Sequence, residues 1–164
     1  MRVFTEEQRF NQWWFVGLMI LVLGISVMTL FIALPETNSE EPVFWVLIGT
    51  TALVFTIALA ILFLLRLETR IDEQGVHYAF KPFHRSLRLI SWHDMSECFV
   101  RKYSPIGEYG GWGYRVSFGK KGKALNVKGN IGIQIVNNNG KRLLLGTQKE
   151  DEARRTISNY LHKL

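Results

Sequence analysis

The sequence is poor in the residues on which metal chemistry and disulfide scaffolds depend. Its 164 residues include one cysteine, Cys98, which excludes an internal disulfide and a thiolate metal site. The four histidines lack the helical spacing and the flanking carboxylates of a metal site. We therefore predict no catalytic residue, no metal and no cofactor, and interpret Cys98 as a packing residue rather than a nucleophile. A membrane enzyme is the least favoured class.

Charge is absent from two long apolar runs, residues 13–34 and 43–65. At about 1.5 Å per helical residue, each run can cross a hydrocarbon core of about 30 Å. The sequence therefore predicts two transmembrane helices. A cleaved signal peptide is the alternative for the first run, which lacks the small-residue cleavage site of such peptides. Without ionisable side chains in either helix, transport by this chain alone is not expected.

The distribution of charge around these runs predicts their orientation. The connector, residues 35–42, holds three Glu and no Lys or Arg, whereas arginines precede the first run and follow the second. Because Lys and Arg favour the cytoplasmic side, we predict an external connector in an integral protein of the cytoplasmic membrane. Both termini and the remaining domain are then cytoplasmic.

Residues 1–12 are predicted to be a short cytoplasmic lead-in. Thr5 and Gln8 have the spacing of a capping box, which predicts a helix beginning near Glu6.

Small residues on both runs leave two interpretations open. Gly17 and Gly24 on the first run and Gly49 on the second can form smooth helix faces. Such faces permit close packing within the hairpin, or a homo-oligomer.

The segment 66–164 is predicted to be one α+β domain. Short alternating runs separated by turn residues indicate about seven antiparallel strands in a small barrel or sandwich. Asn139-Gly140 is a hairpin signal, because both residues tolerate positive φ. Thr147 and Glu150 then form a capping box for a C-terminal helix, whose apolar face contains Ala153, Ile157, Tyr160, Leu161 and Leu164.

Strands followed by one capped helix give an order that resembles the pleckstrin-homology-like (PH-like) fold. Residues 103–105 (Tyr-Ser-Pro) and 108–115 (Glu-Tyr-Gly-Gly-Trp-Gly-Tyr-Arg) are similar to a largely uncharacterised family of bacterial membrane proteins with such a domain. Residues 126–134 and 145–148 extend the resemblance over most of 66–164. It implies a PH-like domain with a binding role. Eukaryotic relatives often bind phosphoinositides through basic residues at the first hairpin, where this sequence has Asp72 and Glu73.

The glycine-rich loop at residues 107–113 is the first candidate site. It lacks the Gly-Lys-Ser/Thr ending of a phosphate-binding loop, so a nucleotide site is not expected. Tyr109, Trp112 and Arg115 belong to residue types that are enriched at protein-binding hot spots. They predict a loop that binds a protein partner. The alternative is structural, with glycines that permit the turn and Trp112 folded back onto the domain.

Basic residues form the second candidate site. The segment 66–164 has 18 Lys and Arg against 9 Asp and Glu. A basic domain next to a bilayer is attracted to anionic lipids. The residues predicted to contact lipid are Lys120, Lys121, Lys123 and Lys128. A solvated hairpin tip is the alternative, and nucleic acid is not expected because no spaced stacking aromatics accompany the charge.

Together these features lead to one main hypothesis, a membrane-anchored binding or scaffolding module that engages a protein partner at the cytoplasmic face. A sensor of anionic lipid surfaces is the alternative.

Overall fold

The computed structural model describes residues 3–10, 13–33, 42–117 and 121–161, which form two compact units. The helical unit lies between residues 10 and 64, and the β unit combines residues 3–9 with residues 65–161. Most of the predicted connector, Lys120 and Leu164 lie outside the described residues.

The helical unit consists of α1 (Trp13–Ala33) and α2 (Pro42–Leu64), which contact each other. Within α2, Pro42–Ala60 is long and apolar enough to cross a membrane, with a mean hydropathy of 2.3. In α1 the described apolar stretch is shorter, Val16–Ile32. Both apolar runs are therefore helical, but among the described residues one helix, not two, meets the criterion for a membrane span.

The glycines of these helices do not lie at a close helix contact. A Cβ atom added at Gly17, Gly24 or Gly49 would meet no described atom of the other helix within 4 Å. The packing of α1 on α2 therefore does not depend on these three positions.

The β unit contains two sheets and is of mixed α/β composition. The four-stranded sheet has the order β1 (Phe4–Arg9), β2 (Arg66–Ile71), β3 (Gly75–Lys81) and β4 (Arg88–Ser91). The strands that follow are β5 (Met95–Lys102), β6 (Gly113–Val116), β7 (Lys123–Asn126), β8 (Ile131–Asn137) and β9 (Arg142–Gly146). They form a five-stranded sheet in the order β5-β8-β9-β7-β6, with helices α3 (Pro105–Tyr109) and α4 (Glu150–Ser158) alongside.

The described part of 66–164 holds eight strands against about seven predicted, β1 is a ninth outside that segment, and one strand pair is not antiparallel. β7 runs parallel to β9, with Lys123 opposite Leu143. The other pairs are antiparallel, including the predicted hairpin of β8 and β9. In that hairpin only Gly140 has positive φ, at 77°.

The helix predicted near Glu6 is wrong, because residues 4–9 form β1 and pair with β2. Phe4, Glu6 and Gln8 are buried in alternation, as in a strand with one covered face. The Glu6 carboxylate accepts hydrogen bonds from Thr147 Oγ1 at 2.6 Å and from the Gln148 backbone N–H at 2.8 Å. These long-range bonds satisfy the buried carboxylate and favour a strand over an isolated helical turn.

The hydrophobic core contains residues from both sheets. Its fully buried members include Phe4, Leu67, Ile71, Phe80, Ile133, Ile135 and Leu145. α4 packs against strands of both sheets. Ala153 and Ile157 are buried on its inner face as predicted, whereas Leu161, predicted on the same face, is 45% exposed. Tyr160 follows the end of the helix and is buried, and its ring stacks on Trp92 with centroids 5.6 Å apart.

The capping box predicted for α4 does not form. Lys149 occupies the N-cap position, and its side chain makes no capping hydrogen bond. Thr147 instead donates to Glu6 and accepts from the Lys149 backbone N–H at 3.1 Å. The hydroxyl thus connects β1 to the segment before the helix.

Candidate functional site

The glycine-rich loop is built around the short helix α3. Ser104 Oγ accepts the Gly107 backbone N–H at 3.2 Å, Pro105 occupies the first turn, and Gly110 ends the helix with φ 71°. These are the preferred residue types at each position, because a hydroxyl caps free N–H groups and glycine tolerates the left-handed conformation. The loop is therefore an ordered element.

A bidentate ion pair between Glu108 and Arg101 connects α3 to β5. Arg101 donates to both Glu108 carboxylate oxygens, at 3.2 and 2.8 Å, and to Gln134 Oε1 at 3.1 Å. The hydrogen bond from Arg101 lowers the pKa of Glu108, and Glu108 in turn raises the pKa of Arg101. Glu108 also accepts the Ser104 backbone N–H, so the pair serves the loop's own structure.

The three residues predicted to bind a partner differ in their accessibility. Tyr109 is only 6% exposed, and its hydroxyl donates to the Lys121 backbone oxygen at 3.3 Å. Trp112 is half-buried and donates from Nε1 to the Gly129 backbone oxygen at 2.9 Å. Arg115 is exposed, although its Nε donates to the Trp112 backbone oxygen. Partner contact at this loop would therefore depend on Arg115 and the exposed part of Trp112.

Two turns bring a group of basic residues to one end of the five-stranded sheet. We call Lys121, Lys123, Lys141 and Arg142 the cationic end; Lys123 and Arg142 are the first residues of β7 and β9, and Lys121 and Lys141 shortly precede those strands. The turns meet because β7 is parallel to β9, which places the starts of both strands together. A Cβ atom at Gly122 would clash with the Arg142 backbone oxygen, so this close approach requires glycine.

Of the lysines predicted to contact lipid, the structure brings Lys121 and Lys123 together. Lys128 lies beyond the other end of β7, where its backbone oxygen accepts a hydrogen bond from Gln148. Sequence reasoning missed Lys141 and Arg142. They follow the Asn139-Gly140 turn directly, but their proximity to Lys123 depends on a parallel strand pair that local patterns do not reveal.

A groove of about 460 Å³ opens beside the cationic end, between the edge strands β4 and β6. Its apolar surface includes Ile90 of β4, Val116 of β6 and Leu143 of β9. The charged residues that line it are Lys123, Lys141 and Arg142. No carboxylate lies among the described residues that line this groove, which we call the β4–β6 groove.

Buried titratable groups elsewhere in the β unit have structural surroundings. Burial raises the pKa of the Cys98 thiol to about 12, so the thiol is protonated and inert at neutral pH. His84 lies between Tyr78 and Tyr114, and its Nδ1 accepts the Phe80 backbone N–H at 3.2 Å. Burial lowers the His84 pKa, and nearby Arg88 and Lys123 add to the effect. The described residues contain no group of three or more potential metal ligands.

The chain has no match among models of known protein families, and no curated protein matches its sequence.

Proposed function

We propose that this chain is an integral membrane protein with two spans, and that its β unit is a PH-like domain that engages anionic lipid at the cytoplasmic face. The cationic end is the observation that carries this proposal, because it combines four positive side chains at the adjoining starts of β7 and β9.

The exposure of the apolar helices supports a location in the membrane. Only 6% of the apolar window in α2 is buried, which differs from the core helix of a soluble protein. Large side chains such as Phe31 and Trp45 are more than half exposed. Apolar surface of this extent is unfavourable in water and favourable in lipid.

Hydroxyl groups within the two helices also fit a lipid environment. Each of the five serines and threonines donates to a backbone oxygen three or four residues earlier: Ser26, Thr29, Thr50, Thr51 and Thr56. Because hydrocarbon offers no hydrogen-bond partner, polar groups in a membrane helix must be satisfied internally.

The attraction of the cationic end to an anionic bilayer can be estimated. Each Lys or Arg near such a surface contributes about 1 kcal/mol, so four contribute up to about 4 kcal/mol at physiological ionic strength. The Debye length shortens from about 8 Å at 0.15 M salt to about 3 Å at 1 M. Engagement should therefore weaken strongly with salt.

Lysine footprinting of the full chain in lipid nanodiscs tests the proposal. We expect acylation of Lys121, Lys123 and Lys141 to fall severalfold when phosphatidylglycerol is added to phosphatidylcholine, and to recover in 1 M NaCl. Lys102 is the internal control, since it lies at the far end of β5, opposite Ile131. Equal labelling in the two lipid mixtures would refute the proposal.

A protein partner is the second candidate. β6 is an edge strand on which Arg115 and Val116 are exposed, and such an edge can accept an added strand. Affinity purification with an Arg115→Ala variant tests this function. Loss of a specific partner would support it, and an unchanged partner set would exclude this edge.

A further inference from the structure

The cations beside the β4–β6 groove differ from the basic residues of the β unit that are held in ion pairs. Lys81 contacts Glu68 at 2.7 Å, and Arg101 contacts Glu108 at 2.8 Å. Within the described residues, the groove cations Lys123, Lys141 and Arg142 have no ion pair. Their charge is therefore available to a ligand.

A second groove of the β unit provides a contrast. It is smaller, about 290 Å³, and its three cations, Arg101, Lys121 and Arg142, share the lining with Glu97 and Glu108. Those carboxylates offset the positive charge there. A lining of three cations with no carboxylate among the described residues is thus a feature of the β4–β6 groove, the larger of the two.

The positions of the groove cations are set by backbone contacts. The Ser117 backbone N–H donates to Gly122 at 2.9 Å and closes the β6–β7 turn against Arg142. In the adjoining turn, the Asn137 backbone N–H donates to Lys141 at 2.9 Å. The turn that leads into Arg142 is therefore pre-organised, which reduces the ordering cost of binding.

The groove also offers apolar contact next to this charge. Val116 is 57% exposed on its edge strand, and Ile90 and Leu143 line the same space. Its volume lies within the range of about 300–1,000 Å³ that small-molecule sites occupy. A ligand that fits must combine negative charge with an apolar portion.

We propose that the β4–β6 groove binds one phospholipid molecule of the surrounding membrane, with its phosphate at Lys123, Lys141 and Arg142 and its adjoining acyl segment against Val116 and Ile90. This inference rests on the proposed lipid function and adds a discrete, saturable site to it. A phospholipid offers a negative charge to the cations and an acyl chain to the apolar residues of the groove. As a membrane anchor, α2 would keep the domain near the lipids of the bilayer.

The test uses the full chain in phosphatidylcholine nanodiscs and short-chain lipids below their micelle concentration. Dihexanoyl phosphatidylglycerol is the probe, with dihexanoyl phosphatidylcholine and glycerophosphate as comparison ligands. Native mass spectrometry reports stoichiometry, and hydrogen exchange of residues 113–117 and 138–143 reports the location. We expect one saturable equivalent of the anionic lipid, slower exchange at both segments, and weaker binding of both comparison ligands.

Two sets of variants separate charge from apolar contact. Lys123→Gln with Lys141→Gln should weaken binding about thirtyfold, from about 1 kcal/mol per lysine. Val116→Asn should weaken it severalfold without a change in charge. Leu89→Asn is the matched control, because Leu89 is also an exposed apolar residue near the end of a short edge strand but does not line the groove.

The outcomes distinguish this inference from the function on which it rests. If anionic bilayers protect the lysines but dihexanoyl phosphatidylglycerol does not bind saturably at one molecule per chain, the groove site is refuted and the proposed function stands. If neither lysine protection nor a saturable lipid equivalent is found, the proposed function and the groove site are both refuted. Equal binding of the two dihexanoyl lipids, or equal effects of Val116→Asn and Leu89→Asn, would also overturn the groove site.

Discussion

Replacement of Phe4 by alanine tests the most consequential difference between sequence and structure, the strand β1. Phe4 is 0% exposed and pairs with Ile71 of β2. Removal of a buried phenylalanine side chain costs about 3–5 kcal/mol, through lost transfer energy and the cavity that remains. In an unpacked lead-in segment the same substitution would change stability by no more than about 0.5 kcal/mol.

The expected loss is large relative to the stability of a domain of this size. Domains unfold with about 5–15 kcal/mol, and each kcal/mol shifts the midpoint of a unit of about 100 residues by at least about 4 °C. Phe4→Ala should therefore lower the midpoint of thermal unfolding of the β unit by at least about 12 °C.

The measurement is thermal unfolding of the full chain in detergent micelles, with hydrogen exchange of β2 and β3 peptides to assign the transition to the β unit. Val3→Ala is the matched control, because Val3 is the neighbouring residue and is 45% exposed. We expect the control to unfold like the unmodified chain. A Phe4→Ala midpoint equal to that of Val3→Ala would refute the docked strand.

Three further predictions concern titratable groups whose pKa the fold shifts. The His84 pKa is lowered, so below about pH 6.5 the unfolded chain binds a proton that the folded chain does not, and stability should fall between pH 7.5 and 5.5. Glu108→Gln should destabilise α3 by about 1–3 kcal/mol at pH 7, because the charged hydrogen bonds to Arg101 are weakened. Cys98 should resist maleimide at pH 8 in the folded chain and react after denaturation, since its buried thiol has a pKa of about 12.

Each of these predictions has its own control. His84→Gln, which cannot titrate, should remove most of the decline above pH 5.5; an unchanged slope would assign the decline to another group. For Glu108, whose pKa is lowered, the stabilisation should disappear in the unmodified chain as pH falls through that pKa, so the variant and the unmodified chain should converge in acid. Rapid native labelling of Cys98 would contradict its burial.

Strands with a clear alternation of apolar residues are predictable from the sequence. β2 shows the pattern, because Leu67, Thr69 and Ile71 are buried and the residues between them, Glu68 and Arg70, are not. β1 has the same alternation of burial, but two of its three inward residues are Glu6 and Gln8. Their partners lie near residue 147, about 140 positions away, so the local pattern indicated a capped helix instead.

The candidate site was predictable only in part for a similar reason. The basic β6–β7 turn is evident in the sequence, and its lysines lie beside two grooves, Lys123 at the β4–β6 groove and Lys121 at the smaller one. The contribution of Lys141 and Arg142 depends on the parallel pairing of β7 with β9. Tyr109 shows the opposite case, because an aromatic residue in a glycine-rich loop proves to be buried in a small core with Tyr103, Ala124 and Leu144.

The pairing of β1 with β2 means that both helices are inserted between two adjacent strands of one sheet. Arg9 lies opposite Arg66 in that pair, although 56 residues separate them along the chain. At synthesis rates of about 5–20 residues per second, β1 waits roughly 3–11 s for the start of its partner to be made. The same arrangement means that deletion of everything before Arg66 removes a core strand together with the helices. A soluble version of the β unit should instead join Arg9 to Arg66 through a two-residue Asn-Gly turn.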